Sequence, residues 1–226
     1  MRNKIYRLLT KPTVVIITIV VSSLLSYIDR NYNYFFGITV ALIILLASKF
    51  RWAEFGFATR ITAKTIFSGL IISVIIFLLV DVLIQPFLEI YLGAIDLSSL
   101  DGIRNNFTSY FIMLIVMWLL AAFGEEFLFR GYYMKRLAAL LGDSDKGWLI
   151  SAILISIYFG IAHSYQGLAG MIAVGIAGFC FSMIFYKNRE NLALAVFAHG
   201  FYDMIGLTLL YYSKERIIVE WVEKML

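Results

Sequence analysis

Residues 107–130 read FTSYFIMLIVMWLLAAFGEEFLFR. No side chain is charged until Glu125, which Glu126 and Arg130 follow at once. A helix needs about 20 apolar residues to cross the hydrocarbon core of a bilayer, and this stretch supplies them. Its charged end is the anomaly. Ionisable groups within a span cost a few kcal/mol each to insert and are functional candidates by default.

The rest of the chain supports the membrane reading. Of its 226 residues 62% are hydrophobic and 15% charged, against about 25% charged in a soluble domain. The mean hydropathy is +0.86, which excludes a globule surrounded by water. One cysteine rules out a disulfide framework or a cysteine-ligated metal site, and Cys180 is expected to pack in its apolar run. The net charge is +4, but the basic residues are scattered between apolar spans, so nucleic acid is not an expected partner.

Apolar runs long enough to span fall near 12–28, 33–48, 65–88, 107–129, 147–164, 169–187 and 191–212. The expected fold is all-α: a polytopic integral membrane helical bundle of about seven transmembrane helices, in one domain over 1–226. The first run follows Arg2, Lys4, Arg7 and Lys11 but lacks a small-x-small cleavage site, so it reads as a retained helix. With the N-terminus cytoplasmic, 14 Lys and Arg residues lie inside and 5 outside. That asymmetry predicts N-in, C-out, in what is expected to be a bacterial cell membrane. Tyr34, Trp148, Tyr165, Tyr186 and Tyr211 sit where interfacial aromatic belts are expected.

Ala169, Ala173 and Ala177, with Gly170 and Gly178, place small residues at helical spacing, which predicts a central position for the sixth span. After Tyr212, Ile217, Ile218, Trp221, Val222 and Met225 share one helical face, so residues 213–226 are expected to lie along the membrane surface. There is no internal repeat, and no signal for an oligomeric state.

The other intramembrane polar groups are few. His163 ends the fifth span and His199 lies inside the seventh, with Asp203 one turn on; these are the only histidines. Asp81 and Glu89 belong to the third span. Glu126 and Arg130, four apart, share a helix face and are expected to pair, while Glu125 points about 100° away. If 107–141 and 147–164 form a helical hairpin turning near Asp143–Asp145, Glu125 and His163 come level. That requires the helix to continue past Arg130 or residues 131–145 to lie at the interface. Taken singly, a Glu-Glu pair is usually the boundary of a span, and a buried histidine is usually packing. Phe127, Phe129, Phe159 and Phe201 read as packing or as the wall of an apolar groove. Asp81 receives no role.

Three motifs occur in order: Glu125-Glu126-Phe127-Leu128-Phe129-Arg130 (EExxxR), Phe159-Gly160-Ile161-Ala162-His163 (FxxxH) and His199-Gly200-Phe201-Tyr202-Asp203 (HxxxN/D). Together they resemble the CPBP intramembrane protease family, which includes type II CAAX prenyl endopeptidases and bacterial abortive-infection, bacteriocin-processing and immunity proteins. The resemblance covers about 107–212; the first three spans match only in being hydrophobic. It implies hydrolysis of a peptide bond in a hydrophobic, prenylated or leader-type substrate. Glu125 would be the general base, helped by His163, with His199 and Asp203 at the oxyanion or scissile peptide. Glu126 and Arg130 would brace the helix. Asp203 departs from the Asn of prenyl-processing members; an ionised Asp only accepts hydrogen bonds, so it would instead orient His199.

No cofactor is expected under the metal-free reading. In the rival zinc reading, Glu125, His163 and His199 would be ligands with water in the fourth position, although the compact HExxH spacing is absent. Two other readings stand: a non-catalytic immunity or scaffold protein, and a transporter using buried Glu and His as a proton relay. A transporter predicts repeats or broken helices, and the sequence shows neither.

Overall fold

The computed structural model describes residues 2–225 and is helical throughout. Among the described residues no strand forms; Phe57 and Asn191 make one isolated antiparallel bridge. The helices are α1 (Arg2–Leu9), α2 (Pro12–Leu25), α3 (Arg30–Ala47), α4 (Ala63–Leu92), α5 (Phe107–Leu140), α6 (Asp145–Ala162), α7 (Gly167–Lys187), α8 (Leu192–Tyr211) and α9 (Ile217–Glu223). Six of them, α3 to α8, are long and apolar enough to cross a membrane. The chain is an integral membrane helical bundle.

Six such helices stand against the expected number of about seven, and the difference lies at the N-terminus. Helix α2 stops at Leu25, and its 14 residues rise only about 21 Å against a core of about 30 Å. The outer surface is apolar, with Phe67, Leu119 and Ile157 each more than half exposed. Such a surface needs hydrocarbon around it.

Side-chain caps start the helices that carry the site. Asn106 accepts from the Ser109 amide at 3.1 Å, Ser144 from Gly147 at 3.1 Å and Asn191 from Leu194 at 3.3 Å. Helix α5 runs unbroken from Phe107 through Arg130 to Leu140. Of the two alternatives left open for the hairpin, the continuous helix is the one that forms. Its turn uses left-handed backbone at Gly142 and Asp143, and Trp148 Nε1 closes it by donating to Asp143 Oδ1 at 2.7 Å. Trp148 is therefore buried in the turn and is not a belt residue.

Over Met117–Met134, α5 widens into π-helical i→i+5 bonding, as α4 does over Leu78–Ile84. Such widening is often found at functional sites. One widened segment holds Glu125 and Glu126, the other Asp81.

Helix α7 packs at the centre as its small residues predict. Ala169, Ala173, Ala177, Gly170 and Gly178 are all buried. A Cβ on Gly160 of α6 would lie 2.6 Å from the Met171 carbonyl of α7, so these backbones touch. The tail helix α9 buries Val219 and leaves Ile217 and Trp221 exposed, as is Met225 just beyond its end. Arg216 Nε pins it to Glu89 of α4 at 3.1 Å, and Glu89 also accepts from Gln85 at 2.6 Å.

Candidate active site

The three motifs converge on one point inside the bundle. Helix α5 supplies Glu125, Glu126 and Arg130; the C-terminal end of α6 supplies His163; α8 supplies His199 and Asp203. Glu125 Oε1 stands 4.0 Å from His163 Nε2, and its Oε2 stands 4.0 Å from His199 Nε2. The level placement of Glu125 with His163 follows from the continuous α5–α6 hairpin.

Glu126 and Arg130 form the expected pair, with Arg130 Nη1 donating to Glu126 Oε1 at 2.7 Å and both side chains fully buried. Arg130 also donates to the Gly178 carbonyl at 2.5 Å and the Ser182 hydroxyl at 3.2 Å. Its guanidinium lies 4.7 Å from the Phe159 ring centroid and 5.7 Å from that of Phe181. Charge, hydrogen bonds and two aromatic faces thus replace the water that the cation has lost. Gly178 is needed for this approach, since a Cβ there would come 2.7 Å from Phe159 and 3.1 Å from Arg130 Nη2.

Glu126 does more than brace its helix. The oxygen that accepts from Arg130 also lies 2.9 Å from His199 Nδ1. On its other side, His199 Nε2 is 3.3 Å from Asp203 Oδ2, and the ring stacks on Phe181 at 4.5 Å with an interplanar angle of 19°. Two carboxylates and an aromatic face hold this imidazole, and a ring with carboxylate oxygens at both nitrogens is placed to donate from both. His163 is held differently. Its Nδ1 lies 2.8 Å from the Phe159 carbonyl, which can only accept. In the neutral ring the proton then sits on Nδ1 and the Nε2 lone pair faces Glu125.

Several contributors have no distinct sequence signal. Phe181 and Ser182 lie on α7, outside all three motifs, although Gly178 belongs to the small-residue stripe. Tyr34 and Tyr165 look like belt aromatics in the sequence, yet both adjoin the site. Tyr34 donates to the Leu120 carbonyl of the widened α5 at 2.9 Å and fills the space where a Gly124 side chain would go. The Tyr165 ring stands 5.8 Å from that of His163. Of the phenylalanines, Phe159 has the specific role of carrying the Arg130 guanidinium over its ring, with the His163 ring tilted against it at 4.7 Å.

The zinc reading fits this geometry poorly. Two tetrahedral ligands about 2.1 Å from a metal lie about 3.4 Å apart, whereas Glu125 is 4.0 Å from each histidine. Among the described residues no three His, Cys, Asp or Glu side chains are grouped so as to hold a metal ion.

Fold and site together define a class: a multi-pass helical membrane protein with a carboxylate and two imidazoles converging between its spans. Residues 107–205 match the family model described as type II CAAX prenyl endopeptidase Rce1-like, in agreement with the CPBP resemblance of its motifs. A relative from Mycoplasma capricolum subsp. capricolum, described as an uncharacterized protein, is 29% identical over 120 residues, 52% of this chain. The chain spans 33% of that relative's length. No solved structure matches.

Proposed function

We propose that the protein is a CAAX-type intramembrane endopeptidase that cleaves a hydrophobic, prenylated or leader-type peptide with glutamate-activated water. One observation carries the reading: the Glu125 carboxylate and the His163 lone pair face each other across 4.0 Å. Two acceptors that each hydrogen-bond one water at about 2.8 Å stand roughly 4–4.5 Å apart, so the gap suits a shared water. Too wide for a direct bond, it has the width of a nucleophile.

In the reaction, Glu125 takes a proton from this water as its oxygen bonds to the scissile carbonyl carbon. The carbonyl oxygen gains negative charge and takes the Nε2–H of His199 in place of Asp203, which stands 3.3 Å away, while Glu126 holds Nδ1. When the C–N bond breaks, the proton held by Glu125 passes to the leaving amine. Water is consumed, and one carboxyl and one amine are formed. Glu126 and Arg130 hold the geometry without meeting the substrate. The chemistry needs no cofactor beyond these side chains.

The test is mass spectrometry of hydrophobic peptides incubated with purified protein, the Glu125→Gln variant, and protein treated with a chelator. Cleavage by wild type that survives chelation and disappears in Glu125→Gln supports the reading. Cleavage that persists in Glu125→Gln refutes it, and cleavage lost to the chelator replaces it with the zinc version. A phenotype retained by both Glu125→Ala and Glu125→Gln favours the immunity or scaffold class.

A further inference from the structure

Asp81 is an intramembrane carboxylate that the proposed chemistry leaves unused. It lies within α4, where Leu78–Ile84 widens into π-helical bonding, and outside the residues 107–205 that match the family model. Its Oδ2 is buried and, among the described residues, meets no hydrogen-bond partner. A carboxylate within a span costs a few kcal/mol to insert, and an orphaned buried oxygen calls for an explanation. Its polar neighbours come from α8. The carboxylate faces the hydroxyl of Tyr202, and Asp203 is near enough for the two negative charges to act on each other.

Tyr202 adjoins both holders of His199. It precedes Asp203 in the chain, whose Oδ2 is 3.3 Å from His199 Nε2. Its ring meets Phe181 edge-on, with centroids 5.8 Å apart and planes at 74°, and Phe181 stacks on His199 at 4.5 Å. Helix α4 is seated directly on this part of α8. A Cβ on Gly69 would come 2.6 Å from Phe197 Cβ and 3.1 Å from the Ala198 amide nitrogen, so the two helices touch at the level of their backbones. Further along α4, Ile76 and Val80 pack in one cluster with Phe181, Ala198 and Tyr202. A phenol bonded to a carboxylate is held by a charge-assisted hydrogen bond, roughly twice as strong as a neutral one.

We infer that Asp81 is a positioning residue for His199: it anchors the Tyr202 hydroxyl, and Tyr202 in turn holds the Phe181 ring and the turn of α8 that presents Asp203. The imidazole must keep Nε2 where the carbonyl oxygen gains charge, and a displacement of about 1 Å can cost about 10² in rate. The effect on rate rests on the peptidase reading; the placing of His199 does not.

His163 and His199 are the only histidines, so protein carrying isotope-labelled histidine gives two imidazoles to follow by NMR, and H163N assigns them. Full-length wild type, D81N, D81L and Y202F are compared in detergent, with cleavage of a hydrophobic peptide as the second readout. D81L and Y202F should each move the His199 ring signals and leave those of His163. Both should lower kcat about tenfold or more while KM stays within about twofold. D81N keeps an oxygen that accepts from Tyr202, so its kcat should return to within about threefold of wild type. The double variant D81L/Y202F should be no slower than either single variant, since both break one path. Y202F, which removes a single oxygen, carries the test if D81L does not fold. Unmoved His199 signals in Y202F, a D81N no faster than D81L, or losses that multiply in the double variant overturn the inference and leave the peptidase reading standing. If wild type cleaves no peptide while the His199 signals move, the peptidase reading falls and the placing of His199 by Asp81 stands.

Discussion

Glu125 and Glu126 are neighbours in sequence, and the structure predicts opposite consequences for the same change at each. Glu126→Gln keeps an acceptor oxygen but removes the charge that Arg130 meets at 2.7 Å, with both side chains fully buried. Removing one partner of a buried pair costs about 3–5 kcal/mol. Arg130 keeps the Gly178 and Ser182 acceptors and its two aromatic faces, which places the loss near the lower end, about 3 kcal/mol. For a chain of this size that corresponds to roughly 6–12 °C in Tm. Glu125 is 4.0 Å from both histidines and has no bond to lose, so Glu125→Gln should shift Tm by no more than about 2 °C. Its effect on rate is the reverse. An amide cannot take the proton from water, and loss of a general base lowers the rate by about 10²–10⁴. Glu126→Gln should retain measurable cleavage, reduced because His199 Nδ1 then faces a neutral amide oxygen in place of a carboxylate. Thermal unfolding in detergent, followed by tryptophan fluorescence, and peptide cleavage by mass spectrometry give the two readouts. If the two variants lose stability equally, or if Glu125→Gln cleaves faster than Glu126→Gln, the separation of a chemical from a structural carboxylate is wrong.

Three further outcomes are expected. Gly178→Ala must displace Phe159 and Arg130, costing about 1–3 kcal/mol in the same unfolding assay. Arg216→Gln removes the charge facing Glu89, whose side chain is 1% exposed, and should release α9, seen as faster hydrogen exchange over Ile217–Glu223 with little change elsewhere. Glu54, in the turn after α3, has a carboxyl that burial alone would raise. Hydrogen bonds from Tyr6 and Arg136, with the charges of Arg136 and Arg51, outweigh burial and hold it below its usual value of 4.5. A depressed folded-state value means that this contribution is complete above 4.5 and is lost as pH falls through and below that value. Limited proteolysis near α1 should therefore accelerate at acid pH in wild type, and Tyr6→Phe should be proteolysed faster already at neutral pH.

The membrane class and most of the spans are legible in composition, because apolar runs of bilayer length have few other uses. The level of Glu125 with His163 is also legible, since antiparallel helices joined by a short turn fix their own register. The first span is not: the apolar run continues to Ile28, while the helix stops at Leu25, where Ser26 caps it. Tyr34 and Tyr165 could not be separated from belt aromatics, because a tyrosine near a span end looks the same whether it faces lipid or a catalytic group. The second role of Glu126 escaped for a different reason. Pairing with Arg130 is local and visible at i,i+4, but the contact with His199 joins residues 73 apart and depends on how α5 and α8 pack. Phe181 likewise touches His199 only through tertiary packing.

The Glu126–Arg130 pair has a consequence in time as well as in space. A chain emerges from the ribosome at about 5–20 residues per second. Arg130 therefore waits for Gly178 and Ser182, 48 and 52 residues later, and Glu126 waits for His199, 73 residues later. That is a delay of roughly 2–15 seconds during which α5 is made and its neighbours are not. Each unpaired charge would oppose insertion by a few kcal/mol. Because its partner lies one turn away on the same helix, Arg130 can be neutralised as soon as α5 folds, and the nascent span carries its own counter-ion into the bilayer before the rest of the site exists.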